Sequence, residues 1–203
     1  MSSVYDSIAE HFHKTRHTPW PGVVEFLKSI PPGSKILDLG CGNGKYLSVR
    51  EDCTMYGCDP CLPLLNIAKE HHPNAILEQA DGTNLPYEDH TFDAVISIAV
   101  LHHLQKEARE VFLKEVMRVL KYNGLFLITV WATEAVKPSW TPLGNNDYIV
   151  PWCSSTTVHN RFYHLFTKEE ASSLVSNCSV KWERDNWYIC RVSNSTDVPI
   201  SCK

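Results

Sequence analysis

Apolar and polar positions along this chain follow two rhythms, one of helices and one of short buried strands. Near the start, Val4, Ile8 and Phe12 recur every four residues, which predicts a helix over 4–13. Pro21 is suited to the first turn of a second helix over 21–30, and Pro31-Pro32-Gly33 ends it. Short apolar runs then predict strands at Lys35–Leu39, Thr54–Asp59, Ala75–Gln79, Phe92–Ile98 and Leu125–Trp131. Between them lie a helical stretch over 61–71 and an amphipathic helix over 105–120. The second is carried by Ala108, Val111, Phe112, Val116, Val119 and Leu120, and Asn123-Gly124 reads as its stop. Residues 132–160 lack a clear period and hold Pro138, Pro142, Gly144 and Pro151, so they read as a long loop or insertion. Thr167-x-x-Glu170 is a capping box opening a helix over 168–176. Val180–Arg184 and Trp187–Val192 read as two last strands around an Asp185-Asn186 turn. The alternation predicts an α/β fold: a doubly wound, mostly parallel seven-stranded sheet, helices on both faces, and a C-terminal antiparallel hairpin.

The expected organisation is one domain over 1–203. It divides into an N-terminal helical cap (1–34), a ligand-binding core (35–131), the insertion (132–160) and a C-terminal helix with strands (161–203). A length of 203 residues with 43% hydrophobic and 10% aromatic residues suits a well-buried core. No apolar run approaches the ~20 residues of a membrane-spanning helix. Eight cysteines follow no framework rhythm, which reads as reduced thiols in an intracellular, cytoplasmic protein. A net charge of −4 is not that of a chain gripping nucleic acid unaided, so any role on RNA needs a local basic patch or a basic partner.

The densest chemistry lies at residues 36–44, Ile-Leu-Asp-Leu-Gly-Cys-Gly-Asn-Gly. An apolar strand carries an acid, Asp38, into a loop with Gly40, Gly42 and Gly44. Lys45–Arg50 reads as a helix whose free N–H groups would face an anion. A ligand bearing an ammonium, a carboxylate and a ribose meets these demands, and S-adenosylmethionine is one. Gly-x-Gly-x-Gly lacks the Gly-x-Gly-x-x-Gly spacing of a pyrophosphate site. A tight strand turn with no ligand is the plain alternative. Cys41 and Asn43 fall inside the loop. Asp59, closing the second strand, suits ribose hydroxyls or the N-cap of the next helix. Asp81-Gly82 suits an adenine amino group or a simple turn. Ser97 leaves the fourth strand where adenosine would lie. Cys58-Asp-Pro-Cys61 has no second pair at ligand spacing, so no metal is expected.

With those residues in place, the chain resembles the class I, Rossmann-like S-adenosylmethionine methyltransferases. It is similar in particular to the tRNA wobble-uridine carboxymethyl methyltransferases. The specific blocks are Val4–Phe12, Thr15–Pro21, Ser97–His103, Val130–Ala132 and Arg161–Phe166. The resemblance implies methyl esterification of 5-carboxymethyluridine at the wobble position of tRNA, with a small zinc-binding activator protein as heterodimer partner. It also implies that the segment before Arg161 is shorter than relatives commonly carry. Arg16, His102, His103 and Trp131 are the candidate catalytic residues. Arg16, Trp20, Trp131, Arg161 and His164 are the candidate substrate contacts, the last two by resemblance alone. Arg16 is expected to touch one carboxylate oxygen or a phosphate, because a bidentate clamp would blunt the nucleophile. Adjacent His102 and His103 are expected to point apart on a helix. No Asn/Asp-Pro-Pro-Tyr/Phe segment follows the fourth strand, and no Pro-Cys pair, which fits a nucleophile needing no base. The rivals are a small-molecule, quinone-type methyltransferase and a non-catalytic cofactor-binding scaffold. Leu62, Leu64, Leu65, Ile67 and Ala68 place apolar residues nearly all round one helix, beside an edge strand holding Ile76 and Leu77. That edge, with Leu64 and Leu65, is the candidate partner surface, the alternative being burial in the chain's own core.

Overall fold

The computed structural model describes residues 2–153 and 157–191. Helix α1 (Ser2–Thr15) and helix α2 (Pro21–Ser29) precede strand β1 (Lys35–Leu39). Strand β2 (Thr54–Asp59), helix α3 (Leu62–His71), strand β3 (Ile76–Gln79), strand β4 (Phe92–Ile98), helix α4 (Lys106–Val119) and strand β5 (Leu120–Trp131) follow. Then come β6 (Thr141–Gly144), β7 (Asp147–Cys153), β8 (Val158–His164), α5 (Lys168–Ser173), β9 (Ser179–Glu183) and β10 (Asn186–Arg191). Seven strands form one sheet in the order β3-β2-β1-β4-β5-β10-β9; only β10 and β9 run antiparallel to their neighbours. The expected fold class is the observed one.

Strand periodicity builds two cores. Leu37, Leu39, Val95, Phe126, Ile128 and Val130 face Phe112, Val116 and Val119 of α4. Their sequence neighbours Ile36, Ala94, Ile96, Leu125 and Leu127 face Val23, Phe26 and Leu27 of α2 on the other side. Each such side chain, fully buried, contributes about 1.5–3 kcal/mol relative to exposure. Both faces being covered explains why these strands read as apolar runs rather than alternations.

Four expectations are corrected. Lys45–Arg50 is not a regular helix; it is a succession of tight turns closed by Gly44 N to Cys41 O, Leu47 N to Gly44 O and Val49 N to Tyr46 O. Asn123-Gly124 does not stop α4. The helix ends at Val119, Leu120 already pairs with Phe92, and Asn123 takes φ 61° in an irregularity within β5. The Leu120 side chain, 2% exposed, packs into the core and starts the strand early. Residues 132–160 are not a loop: β6, β7 and β8 form a separate antiparallel sheet, β6-β7-β8. Asn145 and Asn146, both at positive φ, make its first hairpin turn. Pro151 sits within β7, opposite Asn160 of β8, where its missing N–H had argued against a strand. The last hairpin turns at Arg184 and Asp185 (φ 52° and 63°), one residue before the expected pair. Val192, expected to close the last strand, lies outside the described residues.

The Thr167–Glu170 capping box is present in both directions, 2.8 and 3.2 Å. The small sheet is tied to the large one where Ala132 bridges Phe166 and the Trp187 indole donates to the Phe166 carbonyl at 2.9 Å. This places β7 and β8 over the carboxyl ends of β1 and β4, with α1 beside them.

Candidate active site

A cavity of roughly 610 Å³ opens at the carboxyl ends of β1, β2 and β4, the crevice where ligands bind in open α/β sheets. Its floor is the glycine loop. Gly40 takes φ +77°, and a Cβ there would collide with Val100, so only glycine lets the chain turn so close to the next loop. The loop is pinned to β2: Gly40 N and Cys41 N both donate to the Cys58 carbonyl, at 2.8 and 3.0 Å. Gly42 N donates to Asp59 at 2.9 Å. These donors are spent inside the protein. A side chain adds a cation beside this loop.

That side chain is Lys45, which sequence reasoning missed. It lines the cavity half-buried, its Nζ 5.1 Å from the Trp20 ring centroid and 5.0 Å from that of Tyr46. Burial lowers its pKa to about 8, against the pull of Asp38. Asp38 is 1% exposed and its Oδ2 has no partner. Burial raises its carboxyl to about 7, Lys45 holding it back. A buried carboxylate beside an ammonium, each incompletely paired, matches the two ends of an amino-acid zwitterion. An orphaned acceptor and a glycine cradle at one spot are the marks of a site built for a ligand.

Asp59 accepts from Gly42 N and, at 2.8 Å, from Cys61 N ahead of α3, so it shapes both loops. Burial raises it to about 6, partly countered by those two N–H groups. It lines the cavity, as do Cys41, Asn43, Asp81 and Gly82. Oδ1 of Asp81 accepts from the backbone N and hydroxyl of Thr83, closing the turn that the plain reading expected. Ser97 and Gly44 do not reach the cavity. The Ser97 hydroxyl donates to the Leu39 carbonyl at 3.0 Å and holds the end of β1. Gly44 is confined by His72 and Ala68 and serves the turn. Ala99, at the mouth, takes φ 60°, its N–H held by the Thr129 hydroxyl at 2.9 Å. Such backbone is costly for a residue with a Cβ and clusters at functional positions.

The far end of the cavity is roofed by the small sheet. Period two along β7 and β8 turns Val150, Trp152, Arg161 and Tyr163 inward. The same alternation turns His164 away: it is 6% exposed, 2.6 Å from Asp147, and outside the cavity. His164 as a substrate contact is thus corrected. Trp152 carries two guanidinium groups near its ring, Arg16 at 5.1 Å and Arg161 at 4.8 Å. Its indole N–H donates to His11 Nδ1 at 3.1 Å. Trp131 packs on Trp140 and Tyr163 and lines the cavity. Trp20 also lines it, under Lys45. Tyr5, Trp140, Trp152 and Tyr163 were not singled out from the sequence. Two lie in the stretch read as loop, though its Tyr-Ile-Val-Pro-Trp run was a usable strand signal.

His102 is fully buried at the cavity wall with no partner on either ring nitrogen. Burial holds its pKa well below the ordinary value, so the ring is neutral. His103 lies beside it, and the expectation that the two point apart is corrected. In a tight 3-10 turn both rings pack on Tyr163, with centroids at 4.6 and 4.7 Å. On the partner surface, Leu64 and Leu65 are 2% and 5% exposed, in the chain's own core, which corrects their assignment to an interface. Leu77 is half-buried against Gly57. Leu62 and Ile76 remain exposed at 49% and 47%, beside the free edge of β3.

Comparison with known proteins places this site in context. Residues 37–128 match a family described as "Methyltransferase domain". A Schizosaccharomyces pombe protein named tRNA (carboxymethyluridine(34)-5-O)-methyltransferase is 36% identical over 96% of this chain and 96% of its own length. An Arabidopsis thaliana protein of the same name is 48% identical over 73% of this chain, which spans 37% of that relative's length. A solved protein of Pyrococcus horikoshii shares the fold with a TM-score of 0.70 at 21% identity, over 93% of this chain and 91% of that one. A second, in a complex between the Haloferax volcanii Trm112 methyltransferase activator and a methyltransferase, has a TM-score of 0.53 at 23% identity. It covers 62% of this chain and 59% of its own.

Proposed function

The chain belongs to the tRNA (carboxymethyluridine(34)-5-O)-methyltransferase family, and from that premise we propose that it transfers a methyl group from S-adenosylmethionine to the carboxylate of 5-carboxymethyluridine at the tRNA wobble position. The observation that carries this reading is the cavity's pairing of a zwitterion site at one end with two guanidinium groups at the other. Asp38 would receive the cofactor's ammonium, Lys45 its carboxylate and Asp59 its ribose hydroxyls. When bound, the cofactor supplies an electrophilic methyl carried by a sulfonium.

This chain's residues then have little proton chemistry to perform. The acceptor carboxylate has an ordinary pKa of roughly 4 and is ionised at neutral pH. The site has to hold it in line with the methyl and keep water out. Arg16 and Arg161 attract and orient the anion. Trp131, Trp140 and Tyr163 wall off solvent and offer faces on which a base can stack. His102, neutral and unpartnered, offers one donor and one acceptor to a uracil edge. Arg16, Lys45, Lys137 and Arg161 around one opening supply the local basic patch that a net charge of −4 otherwise denies to an RNA ligand.

The exposed edge at Leu62 and Ile76 is assigned to a partner of the zinc-binding activator type, docking by strand addition. The function is tested with labelled methyl donor and bulk tRNA, with and without that activator, followed by nucleoside analysis. Label in a wobble uridine ester supports the reading. Label that survives mild alkali, or that enters only small molecules, refutes it.

A further inference from the structure

Trp152 sits where α1, β7 and β8 meet. It lies in β7 opposite His159 of β8, is 6% exposed and lines the cavity. Two guanidinium groups from distant parts of the chain lie against its ring. The carbon of Arg16, just past α1, is 5.1 Å from the centroid, and that of Arg161, on β8, is 4.8 Å away. Among the described residues no carboxylate forms an ion pair with either group. Arg16 donates to the neighbouring Thr15 carbonyl at 3.0 Å. Arg161 also lies 5.0 Å from the Tyr163 centroid, and its Nε is buried without a partner. Two like charges at one ring repel each other, and the negative face of the ring offsets part of that cost. Neither charge has a counter-ion in the fold, so the rest is relieved when an anion arrives.

The ring itself is held from α1. An indole N–H can only donate, so His11 Nδ1, 3.1 Å away, carries no proton and accepts from it. The His11 and Trp152 rings meet edge to face with centroids 5.5 Å apart, and Phe12 packs at 5.9 Å. The last turns of α1 therefore set the place of the indole, and with it the place of both cations.

We infer that Trp152 is a positioning residue: anchored by His11, it gathers Arg16 and Arg161 into one anion site that receives the substrate's reacting carboxylate. The inference rests on the proposed function and deepens it. A guanidinium already resting on a ring has less side-chain freedom to lose when the anion docks. A carboxylate offers about four lone-pair sites, so one contact from each guanidinium leaves an oxygen lone pair free to attack.

The test uses the full chain and two anticodon stem-loop RNAs, one with 5-carboxymethyluridine and one with uridine at the wobble position. The wild-type protein is expected to bind the carboxylate-bearing RNA more tightly. Trp152→Leu removes the face beneath both cations and is expected to lower that preference about tenfold. His11→Leu leaves the ring but removes its anchor and is expected to lower the preference about threefold. His11→Gln, whose amide oxygen can accept from the indole, is expected to restore it. Affinity for S-adenosylmethionine and for the uridine RNA is expected to hold in all three. The His11 pair decides the question if Trp152→Leu does not fold. A preference left intact in Trp152→Leu or in His11→Leu overturns the inference while the proposed function stands, as does an equal loss on both RNAs. A wild-type protein with no preference removes the substrate reading and the inference together.

Discussion

Replacing Asp38 with Asn should make the cofactor-free protein more stable while destroying its affinity for S-adenosylmethionine. Asp38 is buried, one of its oxygens has no partner, and its carboxyl is raised from an ordinary 3.8 to about 7. The sign follows from linkage. An acid raised on folding binds more protons in the fold than in the unfolded chain, so stability is lost as pH climbs from 3.8 to 7. The difference of about three units corresponds to a cost on the order of 4 kcal/mol at pH 7.5. Asparagine has nearly the same shape and carries no charge, so Asp38→Asn should recover most of that amount. At pH 4 the same substitution should recover under about 1 kcal/mol, because the wild-type carboxyl is then protonated in the fold and the unfolded chain sits close to its own midpoint of 3.8. The assay is urea denaturation of both proteins at the two pH values without cofactor, paired with calorimetric cofactor titration at pH 7.5. A variant that is less stable than wild type at pH 7.5, or equally affected at both pH values, would refute the claim that this carboxylate is kept buried and unpaired for a ligand.

Three further outcomes follow from the same residues. Cofactor affinity should fall about fivefold between pH 8 and pH 6, as Asp38, with a pKa of about 7, takes up a proton while Lys45, with a pKa of about 8, completes its charge. It should fall again above pH 8 as Lys45 loses its charge, so a calorimetric profile flat across this range argues against both assignments. His164→Ala removes a buried contact with Asp147 at 2.6 Å and should cost about 2 kcal/mol of stability in denaturant melts with cofactor affinity unchanged. A variant of normal stability with impaired tRNA binding would return His164 to the substrate site. Leu62→Asp with Ile76→Asp should abolish co-elution with an activator-type partner on a sizing column while the isolated chain keeps its circular dichroism; persistent co-elution would move the interface elsewhere.

The large sheet was legible because its strands are buried on both faces and therefore appear as uninterrupted apolar runs. Strands β1, β2 and β4 begin and end where those runs do. The small sheet was not, because its strands are broken by Pro142 and Pro151, residues that ordinarily argue against pairing. Asp38, Asp59, Gly40 and Gly42 could be placed at the cavity because the strand–loop junction itself fixes their position. Side chains on the roof depend on which face of β8 points inward, and resemblance alone does not reveal that phase. Arg161 and His164 are three residues apart, so period two sends them to opposite faces. Ser97 was misplaced for a related reason: it is at the right depth in β4 but its hydroxyl is consumed by the Leu39 carbonyl. Lys45 was passed over because a lysine after a glycine loop looks like solvated helix, and only the fold shows it facing Asp38.

The account stands most directly on one reaction. An anticodon stem-loop carrying 5-carboxymethyluridine, incubated with this protein, a partner of the activator type and S-adenosylmethionine, is followed by mass spectrometry. The account predicts a mass gain of one methylene on the wobble nucleoside, reversed by mild alkali and absent from the uridine control. An unchanged wobble nucleoside with methyl groups appearing on a base or ribose elsewhere would contradict it.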